Sequence, residues 1–222
     1  MPATLGLPTN LRNWLNQNRR CIKPPLGEGR LIESAREFVV SMASGPSRRK
    51  DYHVSPHEEL FFQMEGELIL WLRDDDGLVH EVAVGAGELF ALPANVPHSP
   101  QRPEGSVGMV VERRRRGEDD TLRFYCDRCN CSVYEEGFSL DDAHDELPDI
   151  LARFWDDATL RTCRKCGSMV QPPGKADLAT LRPPTVQPAR APARPPGART
   201  TVKPAGTVGT KPPIKRRAVA QR

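Results

Sequence analysis

No stretch of the 222 residues approaches the roughly eighteen consecutive apolar positions that a membrane-spanning helix requires. The amino-terminal segment MPATLGLPTNLRNWLNQNRR has no apolar stretch behind its charges, the feature a secretory leader needs. The expectation is a cytoplasmic protein without membrane contact. Hydrophobic residues are modest at 38% and aromatic ones scarce at 6%, which supports one real core and not several. Acid is nearly missing from one end: between Pro172 and Arg222, Asp177 stands alone against eleven Lys or Arg. A tail of +10 under a formal total of +3 leaves −7 on residues 1–171. The tail also holds eleven of the 22 prolines and no aromatic residue, too little apolar bulk to offset the entropy of ordering its backbone. Residues 172–222 are therefore expected to form a disordered, Pro-rich basic tail. Nucleic acid is an unlikely partner, except through a weak, salt-sensitive contact of this tail.

What is present sorts into two folded modules. Asn10 has the chemistry of an N-cap, and Leu11, Trp14 and Leu15 follow on one helical face. From Arg36 to Glu112 come short β-rich runs, REFVVSM, EELFFQM, ELILWL, LVHEVAV, ELFAL and GMVVE, punctuated by turn residues. Six short strands without a helical insert predict a mainly β, small antiparallel barrel or jelly roll over residues 1–120. Beyond it, four of the six cysteines form two C-x2-C pairs, Cys126 with Cys129 and Cys163 with Cys166. In a reducing compartment this pattern points to metal rather than disulfides, and four soft thiolates suit tetrahedral zinc or a single iron. Leu147, Ile150, Leu151, Phe154 and Trp155 lie between the pairs at helical spacing. Residues 121–171 are thus expected to be a small four-cysteine metal lobe. Cys131 is a rival ligand in the first pair, and Cys21 stands apart.

Within the barrel, His53, Glu59 and Gly66 are followed by Gly87, Pro93, Asn95 and His98. This H-x5-E-x6-G and G-x5-P-x-N-x2-H pattern resembles the paired metal motifs of the cupin superfamily, whose fold is a double-stranded β-helix. The first motif usually offers two histidines as H-x-H; here Ser55 takes the second place. Two histidines and one carboxylate remain, a set that leaves one face of a non-haem Fe(II) open. His57, between His53 and Glu59, is a competing ligand.

The surrounding stretches GPSRRKDYHVSPHEELFFQMEG, LPANVPHSPQRPE and VVERRR resemble the 3-hydroxyanthranilate 3,4-dioxygenase family, and the two cysteine pairs match its bacterial form. The resemblance covers roughly residues 5 to 171. It implies His53, Glu59 and His98 as ligands of a catalytic Fe(II), with Glu59 also facing the substrate. Arg102 would bind the substrate carboxylate, and Glu112 would bond its amine and accept a proton. Arg49 would stand near dioxygen, with Arg48 as the competing assignment, and Asp51 would orient a ligand histidine. Cys126, Cys129, Cys163 and Cys166 would hold a second, rubredoxin-like iron, or zinc. The partners implied are a small aromatic substrate, O2 and a second copy of the chain in a homodimer. The reaction implied is extradiol-type cleavage of 3-hydroxyanthranilate to 2-amino-3-carboxymuconate semialdehyde, which closes to quinolinate and serves NAD biosynthesis or aromatic degradation. Two other readings stay open at this point: a cupin oxygenase for a related aminophenol or hydroxylated aromatic acid, and a non-catalytic metabolite sensor.

Overall fold

Period-two burial builds the strands. In β4 (Glu59–Glu65), Glu59, Phe61 and Gln63 turn inward while Leu60 faces out, as alternation along a pleated strand demands. A computed structural model describes residues 7–22, 28–32, 35–139 and 143–173, all within one compact unit, Met1–Ala189. The expected disordered tail lies outside the described residues from 174 onward.

The first helix, α1 (Leu11–Asn18), starts as expected on Asn10, whose side chain accepts the Asn13 N–H at 3.0 Å. Eleven strands follow among the described residues: β1 (Glu28–Arg30), β2 (Phe38–Ser44), β3 (Asp51–Val54), β4, β5 (Glu67–Arg73), β6 (Val79–Gly85), β7 (Leu89–Leu92), β8 (His98–Gln101), β9 (Val107–Arg113), β10 (Asp120–Tyr125) and β11 (Ser132–Phe138). They pair antiparallel throughout, as one sheet in the order β1-β2-β9-β4-β7 and another in the order β11-β10-β3-β8-β5-β6. Phe61, Leu92 and Val110 of the first sheet meet Leu68, Leu70 and Val84 of the second in a shared core. This is the two-sheet cupin barrel. Leu15 of α1 packs with Val40, Met42 and Val107 in a separate cluster.

β10 pairs with β3 as well as with β11. The segment after residue 120 therefore continues a barrel sheet before the cysteine pairs are reached. Helix α2 (Ala143–Asp156) lays Ile150 and Phe154 against Leu122, Phe124 and Phe138, and Phe124 stacks on Phe154 with ring centroids 3.6 Å apart. Each buried ring contributes roughly 2–3 kcal/mol. The first cysteine turn is fastened to the barrel by polar contacts. Arg73 lies over the Tyr125 ring at 3.7 Å and donates to the Asn130 carbonyl at 3.2 Å, Asn130 Nδ2 donates to the Gly77 carbonyl at 2.7 Å, and Lys50 pairs with Asp127 at 2.8 Å.

One glycine is dictated by close approach. A Cβ on Gly45, which precedes Pro46 through a cis peptide bond, would lie 1.9 Å from the Pro103 carbonyl oxygen. That contact seats Ser47 beside Arg102, where the two residues exchange backbone hydrogen bonds of 2.8 and 2.9 Å.

Candidate active site

Two cross-strand pairs, one from each sheet, supply the polar centre. His53 on β3 is registered against His98 on β8, and Glu59 on β4 against Glu112 on β9. The Glu59 carboxylate lies between the two imidazoles, Oε1 3.6 Å from His53 Nδ1 and Oε2 3.3 Å from His98 Nε2. One ligand atom from each of His53, Glu59 and His98 falls within 4.8 Å of the others. Glu59 and His98 are 1% and 2% exposed, and Glu59 Oε1 is buried without a hydrogen-bond partner. A buried carboxylate with one orphaned oxygen, set between two imidazoles, is costly unless a cation completes it. The donor set fits an ion such as Fe(II).

Each imidazole is oriented by its other nitrogen. His98 Nδ1 donates to the Val96 carbonyl at 3.1 Å, which turns Nε2 toward Glu59. His53 Nε2 meets the Asp120 carboxylate at 2.6 Å. A carboxylate accepts, so Nε2 donates, and Nδ1 is the nitrogen that faces Glu59 and would hold an ion once its proton is displaced. Burial opposes a charge on His53, but the Glu59 carboxylate and the Asp120 hydrogen bond outweigh it and raise its pKa to about 9. Burial likewise opposes the Glu59 charge, while His98 and His53 prevail and lower its pKa to about 2.

The expectation that Asp51 orients a ligand histidine is corrected. Asp51 pairs with Arg49 through both Nε, at 2.8 Å, and Nη2, and Asp120 takes the orienting position. Asp120 is fully buried and is gripped by Arg115, through Nε to one oxygen and Nη2 to the other at 2.7 Å. A second candidate cluster, His53, Glu112 and Asp120, is therefore already neutralised by a guanidinium. His57 joins neither group; its Nε2 pairs with Glu118 at 2.7 Å.

Above these residues opens a cleft of about 530 Å³ of empty space, its solvent-facing mouth included. Arg49, Arg102 and Glu112 line it together with His53, Glu59 and His98, and Arg48 does not. Its apolar wall includes Phe61 and Val110 from the barrel, and Phe138 and Leu147 from β11 and α2. The region beyond residue 120 thus contributes to the cleft. Arg102 is 4% exposed and passes so close to β9 that a Cβ on Gly108 would lie 2.9 Å from its Nη1 and 2.6 Å from Gln63 Oε1. Gln101, fully buried, accepts from the Arg49 N–H at 3.1 Å and donates to the Arg49 carbonyl at 3.0 Å. Asp120 and Phe138 lie outside the stretches that carry the sequence motifs, and Arg115, Gln101 and Gly108 lie within such stretches without a role assigned to them there. Their roles arise from long-range pairing.

The four expected cysteines converge. Cys126 Sγ is 3.5 Å from Cys166 Sγ, and Cys129 Sγ is 3.5 Å from Cys163 Sγ. All four sulfurs lie within 4.8 Å of one another. Cys131 is outside the group, its carbonyl accepting the Cys126 N–H at 2.9 Å. The Cys166 backbone N–H draws the Cys163 thiol down to about 6. The Ser168 N–H acts the same way on Cys166, but burial and hydrogen bonds to the other three sulfurs outweigh it and push that thiol up to about 12. Backbone donors aimed at sulfur in this way favour the thiolates that a metal needs.

Residues 5–155 match the family model described as 3-hydroxyanthranilic acid dioxygenase. The chain belongs to that family. A protein of Xanthomonas campestris pv. campestris (strain B100) named 3-hydroxyanthranilate 3,4-dioxygenase is 42% identical over 161 residues, covering 72% of this chain and 90% of its own. One from Jannaschia sp. (strain CCS1), of the same name, is 39% identical over 168 residues, covering 75% and 91%. Among solved structures, a cupin-2 domain protein from Shewanella frigidimarina matches 45% of this chain and 92% of its own at 21% identity and a TM-score of 0.38.

Proposed function

We propose that this member of the 3-hydroxyanthranilic acid dioxygenase family binds one ferrous ion through His53, Glu59 and His98 and cleaves the ring of 3-hydroxyanthranilate with O2. The observation that carries the reading is the orphaned Glu59 oxygen between two oriented imidazoles, on the floor of a cleft that also holds Arg102 and Glu112. Ferrous iron, when bound, supplies neighbouring coordination positions for substrate and dioxygen together with the redox chemistry that dioxygen requires.

The chain's own residues then divide the remaining work. Arg102 receives the substrate carboxylate; a planar fork of donors suits that group, and burial strengthens the pair. Glu112 accepts a hydrogen bond from the ring amine and holds the proton that leaves the substrate during cleavage. Arg49, kept in place by Asp51 and Gln101, sets a positive charge where negative charge develops on oxygen. Glu59 faces the ring as well as the ion. Phe61, Val110, Phe138 and Leu147 flank the ring and exclude water. The product expected is 2-amino-3-carboxymuconate semialdehyde, which retains both oxygen atoms.

Cys126, Cys129, Cys163 and Cys166 are assigned a second iron, or zinc, as a staple that ties the far end of the α2 segment to the turn docked on the barrel. All six cysteines are free, in keeping with a cytoplasmic location, and no helix among the described residues is long and apolar enough to cross a membrane. A homodimer is expected from the family. The test is anaerobic reconstitution with Fe(II), followed by 3-hydroxyanthranilate in air. One O2 consumed per substrate with a new, decaying ultraviolet band supports the reading; no uptake by protein with a filled barrel site contradicts it.

A further inference from the structure

Arg115 joins three parts of the site that the reaction scheme above leaves unconnected. Ser55 stands where a second motif histidine would stand, just past the end of β3. Its Oγ donates to the His57 carbonyl at 2.8 Å, and accepts from the His57 N–H at 3.1 Å and from Arg115 Nη2 at 2.8 Å. The same guanidinium spans both oxygens of Asp120, donates from Nη1 to the Arg113 carbonyl, and lies 3.6 Å from Glu112 Oε1. Arg115 is 8% exposed, Ser55 3% and Asp120 fully buried. A fork on both carboxylate oxygens fixes the plane of Asp120. That plane fixes the hydrogen bond to His53 Nε2, and with it the direction of Nδ1.

We propose that Arg115 is a positioning residue: acting through Asp120 it aims His53 Nδ1 at the position shared with Glu59 and His98. The proposal rests on the ligand assignment given under the proposed function. A guanidinium is suited to this task and an ammonium is not, because a single Lys nitrogen cannot span Asp120 Oδ1, Asp120 Oδ2 and Ser55 Oγ together.

The experiment measures Fe(II) affinity by anaerobic competition with a chromophoric chelator, and the electron paramagnetic resonance line shape of the Fe(II) protein treated with nitric oxide. The chains compared are the unaltered protein, R115M, R115K, D120N, the double variant R115M/D120N, and E59A, with circular dichroism to establish folding. Because removing a partner that orients a ligand histidine costs about 10–100-fold in metal affinity, R115M and D120N are each expected to weaken Fe(II) binding by at least about tenfold and to alter the line shape alike. The double variant is expected to be no weaker than the worse single one, and R115K to fall between. Unchanged affinity and line shape in folded R115M, or losses that multiply in the double variant, would overturn the proposal. Should R115M not fold, unchanged affinity in R115K overturns it. E59A separates the two readings: if it binds iron as the unaltered protein does, the ligand assignment fails, whereas if it loses iron while the Arg115 variants keep theirs, only the positioning role fails.

Discussion

His53 and His98 oppose each other across β3 and β8 with ring centroids 5.0 Å apart, and Glu59 reaches between them from the other sheet. The barrel thereby brings two imidazoles and one carboxylate together at its centre. In protein freed of metal, His53 holds a proton up to about pH 9. An incoming ion must displace that proton, so Fe(II) affinity rises between pH 6 and 9 with close to one proton released per ion. Competition titrations at several pH values measure the slope, and a flat profile contradicts the assignment of His53. The same raised pKa has a consequence for folding. The His53 contribution is complete below its ordinary value of 6.5 and is lost as pH rises through about 9, so the Tm of metal-free protein falls across that window.

On the proposed assignment, Arg102 is expected to separate a carboxylated substrate from others. Replacing it with Met removes a charge-assisted pair in a buried setting, a loss of about 3 kcal/mol or roughly 100-fold in kcat/KM. The loss disappears when the substrate lacks the carboxylate. Gly108→Ala is expected to act in the same direction, because the new Cβ would crowd Arg102 Nη1 at 2.9 Å. Steady-state kinetics with the two substrates reads both effects.

Phe138 belongs at once to the cleft wall and to the cluster around Phe124 and Phe154. Phe138→Ala therefore lowers stability by about 3 kcal/mol and raises KM more than it lowers kcat. Denaturant unfolding and initial rates measure the two independently. A stability loss with unchanged KM would remove Phe138 from the substrate wall.

Cys163→Ser removes one of four sulfurs and, with it, the metal of the second site. The α2 segment then loses its tie to the turn fastened by Arg73, Asn130 and Lys50. Amide exchange in α2 is expected to quicken while the barrel strands keep their protection and the catalytic iron stays bound. Mass-resolved hydrogen exchange with metal analysis checks this, and unchanged exchange in α2 contradicts the stapling role.

How much of this was legible in the sequence depended on how local each feature is. The long strands β2, β4, β5, β6 and β9 show as apolar runs, and the P-x-N-x2-H turn is local chemistry, with Asn95 in the left-handed region at φ 64°, which Asn tolerates. The strands β3 and β8 read DYHV and HSPQ. There the site's side chains displaced the apolar pattern that would have marked them. Asp51 is two residues from His53 on one side and two from Arg49 on the other, and Arg49 claims it. Asp120 arrives only through the pairing of β10 with β3. Arg115 sits in a run of four arginines, 113–116, that the sequence alone does not tell apart; burial singles it out, and burial here comes from tertiary pairing.

The most direct test of the central claim uses isotopically labelled dioxygen. The Fe(II)-loaded protein is given 3-hydroxyanthranilate under 18O2, and the ring-opened product is trapped and weighed by mass spectrometry. Two labelled oxygen atoms in each product molecule are predicted, with E59A giving no product. Product without label, or with one labelled atom after the aldehyde is reduced by borohydride faster than its oxygen exchanges with water, would contradict ring-cleaving dioxygenation.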